Sequence, residues 1–124
     1  MKVLIIEDED ALRNVLQEKM QSAGFETLVA KDGDEGWEMV KSGNPDIILL
    51  DLILPKHNGF DVLFTLKQDP ELKKIPVIVV SNLSEDENLK KALAMGAEDY
   101  FVKAEHPIEE IVEKVKSHFP AASQ

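Results

Sequence analysis

The chain has 124 residues, enough for one domain with a single core of two helical layers around a sheet. Its 24 acidic and 14 basic residues leave a formal charge of −10, which repels phosphate backbones and anionic lipid and argues against direct nucleic-acid or membrane contact. There is no cysteine, so disulfides, thiolate chemistry and cysteine-zinc sites are excluded. The amino terminus, MKVLIIEDED, has an apolar part too short for a signal-peptide core, and no run reaches the length of a membrane span. A cytoplasmic protein is the expectation.

Residues 3–6 form an unbroken apolar strand closed by Glu7, Asp8, Glu9 and Asp10. Leu12, Val15, Leu16, Met20 and Ala23 then recur near a period of 3.6, and Gly24 ends the pattern, so a helix follows. Acids at a helix's first turn suit the positive end of its dipole, which is a sufficient structural reason for all four. Residues 26–30 are a shorter strand with Lys31-Asp32-Gly33 as its turn. The next helix places Trp37 and Val40 on one face, is weakened by Gly36 and ends near Gly43-Asn44-Pro45.

The central stretch, DIILLDLILP at residues 46–55, is apolar without polar alternation, as in a strand buried on both faces of a parallel sheet. It delivers one carboxylate, Asp51, at its carboxyl end, the edge where open α/β sheets bind ligands. Asn58-Gly59 resembles a hairpin turn. The helical spacing of Phe60, Leu63, Phe64 and Lys67 instead makes Asn58 the start of a helix that ends near Asp69-Pro70. Residues 75–80 are another apolar strand ending in Ser81. Ser84 and Glu87 fit a capping box opening a helix through Leu89, Ala92 and Leu93 to Gly96. Residues 99–102 make the last strand, ending in Lys103. Pro107 sits in the first turn of a final helix through Ile108, Ile111, Val112, Val115 and Phe119, stopped by Pro120, with residues 121–124 as a frayed tail. Trp37 is read as packing, and His57, His106 and His118 as solvated residues without ligand spacing.

Five uninterrupted strand-helix units imply a parallel sheet with helices on both faces. Every strand's carboxyl end then points the same way, and Glu7 and Asp8, Asp51, Ser81 and Lys103 meet on one rim. Singly, each has an ordinary reading: a strand-end lysine, a turn serine, a turn aspartate. Jointly they resemble the receiver domain of bacterial two-component response regulators, of the single-domain, chemotaxis-regulator-like kind. The matching pieces are IIEDED, IILLDLILPKHNG, VIVVS and GAEDYFVK, in that order over nearly the whole chain.

The resemblance implies a flavodoxin-like (βα)5 three-layer sandwich with a five-stranded parallel sheet of order 2-1-3-4-5 across residues 1–120. That strand order belongs to the family, chemotaxis receivers included, and is an inherited expectation. The resemblance also implies that Asp51 accepts a phosphoryl group from the phosphohistidine of a sensor histidine kinase or phosphotransfer protein. Three crowded carboxylates repel, by roughly 4 kcal/mol per pair about 4 Å apart at an effective dielectric near 20. A hard divalent cation relieves this, and Mg²⁺, with Mn²⁺ as a substitute, suits carboxylates with open water positions. By the same resemblance Asp8, Asp51 and the backbone carbonyl of Ile53 ligate the metal and Glu7 acts through water. Lys103 and Ser81 serve the phosphoryl oxygens, and Tyr100 is a switch aromatic that turns inward. The changed surface is that of the fourth helix, fifth strand and fifth helix, read by a downstream protein, with the chain a monomer or a phosphorylation-dependent dimer. Beyond its own aspartyl phosphorylation and dephosphorylation no enzyme activity is expected.

Several departures bear on the site, among them Glu7 where aspartate is commoner and Ile53 and Leu83, apolar beside the path of an attacking water. Receivers usually follow the lysine with a cis proline, and here Ala104 stands there; a cis bond to a non-proline residue costs roughly 2.5 to 4 kcal/mol, so a trans bond is expected, or else a cis bond under strain, and the pose of Lys103 stays open. Asn82 replaces the usual small residue after the hydroxyl position and narrows access to Asp51. A haloacid-dehalogenase-like phosphatase would need a second aspartate where Ile53 stands. A phosphorylation-independent pseudoreceiver is the other competing reading. Nucleotide-binding sheets lack their glycine-rich run here. With no output domain in the chain, the signal is expected to leave through protein contacts, unless the chain is a piece of a longer regulator.

Overall fold

A computed structural model describes residues 1–56 and 58–119. The readings placed on His57, Pro120 and residues 121–124 lie outside those residues. The elements alternate as expected: β1 (Lys2–Ile6), α1 (Asp10–Ser22), β2 (Glu26–Ala30), α2 (Gly33–Gly43), β3 (Ile47–Leu50), α3 (Gly59–Gln68), β4 (Val77–Ser81), α4 (Asp86–Ala94), β5 (Asp99–Val102) and α5 (Ile108–Ser117). All strand pairs are parallel and the order is β2-β1-β3-β4-β5.

Alternate residues of each strand feed two cores, which is why the strands read as continuous apolar runs. Leu4, Ile6, Ile48, Leu50, Val77 and Val79 face α2, α3 and α4 through Val40, Leu63, Leu66 and Ala92. Val3, Ile5, Ile47, Leu49, Ile78 and Val80 face α1 and α5 through Leu16, Met20, Ile111 and Val115. Full burial of one such side chain contributes about 1.5–3 kcal/mol relative to leaving it exposed. Trp37 packs at the margin of the first core, as its reading as a packing residue required.

The differences from expectation are local. The central strand keeps only four residues, Ile47–Leu50, although the Asp51 amide still donates to the Ile6 carbonyl at 3.0 Å before the chain turns away. Ile75 and Pro76 stand before β4, preceded by a 3-10 turn at Leu72–Lys74 that periodicity did not signal. The capping box at Ser84 and Glu87 does not form: Glu85 holds the N-cap position of α4, with no side-chain cap bond. An acid-capped start appears at α2 instead, where Asp32 accepts from the Glu35 amide at 2.8 Å and Glu35 reaches back to the Lys31 amide at 3.2 Å. Pro107 is likewise the N-cap of α5 and lies just before its first turn. Asn58 does cap α3, accepting from the Phe60 amide at 2.7 Å. Val15, Phe64 and Leu93 follow the helical period yet stay exposed, since each lies off the stripe that faces the sheet.

Candidate functional site

In-register parallel pairing builds the site. Ile6 pairs with Leu50, so the residues that follow, Glu7 and Asp51, leave the sheet side by side. Ser81 pairs with Val102, and the Lys103 amide donates to the Ser81 carbonyl at 2.9 Å, which carries the ladder one residue past β5. From there Lys103 Nζ reaches 2.7 Å from Glu7 Oε1 and 2.9 Å from Asp51 Oδ2. No cis peptide bond occurs among the described residues, so the Lys103–Ala104 bond is trans, as expected, and the amine still reaches the rim.

The turn after β5 explains how Lys103 is held. The Glu105 and His106 amides both donate to the Val102 carbonyl, at 2.9 and 3.0 Å. His106 Nδ1 in turn accepts from the Val102 amide at 3.2 Å, and its ring stands edge-on to Phe101 with centroids 5.3 Å apart. His106 is therefore half-buried, which corrects its reading as a solvated residue. β5 is an edge strand, and an outward-facing amide there needs a partner. His118 is also half-buried, its ring tilted against Phe119.

Glu7, Asp8 and Asp51 each bring a carboxylate oxygen within 4.8 Å of the others. Glu7 and Asp51 are buried, whereas Asp8 is exposed. Unit charges 4.8 Å apart repel by about 3.5 kcal/mol at an effective dielectric of 20. Burial pushes the Glu7 carboxyl from 4.5 up to about 7, against the opposing hydrogen bonds from Lys103 and the Glu9 amide. Burial likewise disfavours the Lys103 ammonium, but its hydrogen bonds to Glu7 and Asp51 outweigh that and hold its pKa above the ordinary value. Three carboxylates facing one ammonium leave the rim short of positive charge even with Lys103 in place. An all-oxygen carboxylate set with that deficit fits a hard divalent cation such as Mg²⁺ or Mn²⁺.

The loop after β3 folds back on its own aspartate. Asp51 Oδ1 accepts from the Ile53 amide at 3.1 Å. Gly59 then starts α3 directly against this turn: a Cβ there would lie 2.3 Å from the Asp51 carbonyl oxygen and 2.4 Å from Leu52 Cα. Sequence reasoning missed the brace on the loop's far side. Lys56, with φ of 67°, places Nζ 3.6 Å from the buried Asp32 and so ties the β3–α3 loop to the start of α2. The Glu35 amide holds the Asp32 carboxyl below its usual range, with Lys56 adding to the effect. The Asp-x-x-Glu spacing at residues 32–35 was the available signal.

Ser81 is fully buried, and its Oγ accepts from the Leu83 amide at 3.3 Å. Tyr100 is buried too, donating its hydroxyl to the Leu83 carbonyl at 2.6 Å. Tyr100 thus lies inside, against the segment that follows Ser81. Asn82, between them, is exposed.

A five-stranded parallel sheet in this order, with carboxylates and one lysine meeting at its carboxyl edge, is the architecture of receiver modules in phosphorelay signalling. The chain belongs to that family: the model of the response regulator receiver domain matches residues 3–116. The phosphate regulon transcriptional regulatory protein PhoB of Rhizobium meliloti is 34% identical over 102 residues, covering 82% of this chain and 45% of that protein. The receiver domain of the Francisella response regulator 1452 superposes with a TM-score of 0.88 at 29% identity over 97% of both chains. The Mn(2+)-bound form of response regulator Rcp1 gives a TM-score of 0.82 at 28% identity, covering 94% of this chain and 91% of that one. The chain spans less than half the length of the first curated relatives it matches, so the transcriptional role in PhoB's name belongs to a longer protein.

Proposed function

We propose that Asp51 accepts a phosphoryl group from the phosphohistidine of a sensor histidine kinase or phosphotransfer protein, in a Mg²⁺-dependent reaction that Mn²⁺ also supports. The observation that carries this is a buried carboxylate, Asp51, clustered within 4.8 Å of Glu7 and Asp8 and held by Lys103 at 2.9 Å. An Asp51 oxygen forms the new bond to phosphorus as the phosphorus–nitrogen bond breaks, its electron pair leaving with the imidazole. Asp8, Asp51 and the Ile53 carbonyl, with Glu7 acting through water, would hold a divalent cation, which would supply charge neutralisation for the phosphoryl oxygens. Lys103, already on Asp51 Oδ2, is within reach of one of those oxygens. Ser81 accepts from the Leu83 amide, which leaves its own proton to donate to another.

The residues also suggest how the signal leaves. Ser81 holds the Leu83 amide and Tyr100 holds the Leu83 carbonyl. A shift of Ser81 toward the phosphoryl group pulls this segment and alters the α4–β5–α5 face presented to a downstream protein. In this reading residues 1–120 are the receiver unit, it works in the cytoplasm, and at a charge of −10 it contacts proteins and neither nucleic acid nor membrane directly.

Acetyl phosphate with MgCl₂ tests the reading: intact mass rises by one phosphoryl group, and both chelation and Asp51→Asn abolish the gain. Beryllofluoride with Mg²⁺ is expected to perturb the Tyr100 signal. No mass gain, or an equal gain in the Asp51→Asn variant, refutes it.

A further inference from the structure

Between the first turns of α2 and α3 lies a cleft of about 190 Å³, lined by Gly33, Asp34, Trp37, Asp61, Val62 and Thr65. It contains none of the residues assigned to the carboxylate rim. Sites for drug-sized ligands begin at roughly 300 Å³. This cleft is therefore scaled to a single side chain.

Its chemistry is that of a cation receptor. The Trp37 ring already attracts one ammonium, Lys41 Nζ, 5.6 Å from its centroid. Asp34 is exposed and lies 3.9 Å from Lys56 Nζ. Asp61 is exposed and its carboxylate has no partner among the described residues. One turn along α3 from Asp61, Phe64 is 55% exposed beside the cleft. Helix dipoles alone account for acids in the first turns. They do not account for an indole within the cleft and a phenyl ring beside it.

We propose that this cleft receives an arginine side chain of a partner protein, its guanidinium over Trp37 and facing Asp61, with the partner's flanking apolar residue against Phe64. A guanidinium combines a flat face for the indole with a fork for carboxylates, which an ammonium lacks. A second copy of this chain cannot supply it. The sequence has a single arginine, Arg13, which donates to the Glu7 carbonyl at 2.9 Å and pairs with Asp10.

Trp37 is the single tryptophan and reports directly. The full chain, with MgCl₂ saturating the rim, is titrated with acetyl-Leu-Arg-Leu-amide, followed by Trp37 fluorescence and amide NMR. A saturable change confined to residues 33–37 and 61–65 is expected, weakened about two- to fivefold by Asp61→Asn, the scale of an exposed ion pair. The same peptide with citrulline in place of arginine should not saturate. Asp61 is an exposed side chain, so the variant keeps the fold, and Trp37→Phe followed by NMR gives a second reading. Shifts centred on residues 7–9 and 51–53, unchanged affinity in Asp61→Asn, or equal affinity for agmatine overturns the proposal, the last by making the occupant a small free guanidinium compound and not a partner protein's side chain.

Discussion

Replacing Lys103 with methionine keeps an unbranched side chain as far as Cε and removes the cation shared by Glu7 and Asp51. At 2.7 and 2.9 Å each contact has a gross attraction of about 6 kcal/mol at an effective dielectric of 20, most of it offset by desolvation. Removing one partner of a buried pair costs about 3–5 kcal/mol, since the other charge stays buried and uncompensated. The Lys103 side chain retains 13% exposure, which places the expected loss near the lower end, about 3 kcal/mol. Lys103 lowers the Glu7 pKa, so its removal moves that carboxyl above about 7. Protonation then relieves the repulsion, and the deficit shrinks as pH falls. Urea unfolding at pH 6 and 8.5, read from Trp37, measures both values. Mg²⁺ at 100 times its dissociation constant restores about 2.7 kcal/mol. A loss under about 1 kcal/mol, the same at both pH values and indifferent to Mg²⁺, would show that these acids do not act as one charged cluster.

Three further outcomes follow from the same geometry. Glu7 has a folded-state pKa raised from 4.5 to about 7, so the folded chain binds the extra proton in that window and stability falls as pH rises through it, levelling above about 7. Glu7→Gln removes that fall in urea midpoints measured from pH 5 to 8. Gly59→Ala drives a methyl group into the Asp51 and Leu52 backbone, which cannot yield as a side chain would. About 1–3 kcal/mol of stability is lost in thermal unfolding, and acetyl-phosphate labelling slows. Tyr100→Phe deletes the bond to the Leu83 carbonyl at a cost of about 1 kcal/mol, with the largest amide shifts at residues 82–85.

β1, β3, β4 and β5 were readable because both faces are largely buried, so the apolar runs carry no competing signal; β5 begins and ends where the pattern placed it. Helix starts were less readable. Ser84 and Asp32 each head an equally plausible cap, and only the surrounding fold selects between them: the Ser81–Leu83 turn delays α4 to Asp86, while Asp32 sits buried against Lys56. The departure at Ala104 left the pose of Lys103 open, and the answer lay in His106, whose ring closes the turn on an edge strand that no local pattern marks as an edge.

From the amino acids alone came the alternation of elements, the parallel sheet and the acids, hydroxyl and lysine that end its strands, because period and burial are properties of short segments. Proximity is a property of strand order. That Glu7 and Asp51 touch one ammonium, that Tyr100 is already inside and that Trp37 and Asp61 share a cleft depend on residues tens of positions apart in the chain. The sheet register brings the first set together, and the packing of α2 beside α3 brings the last.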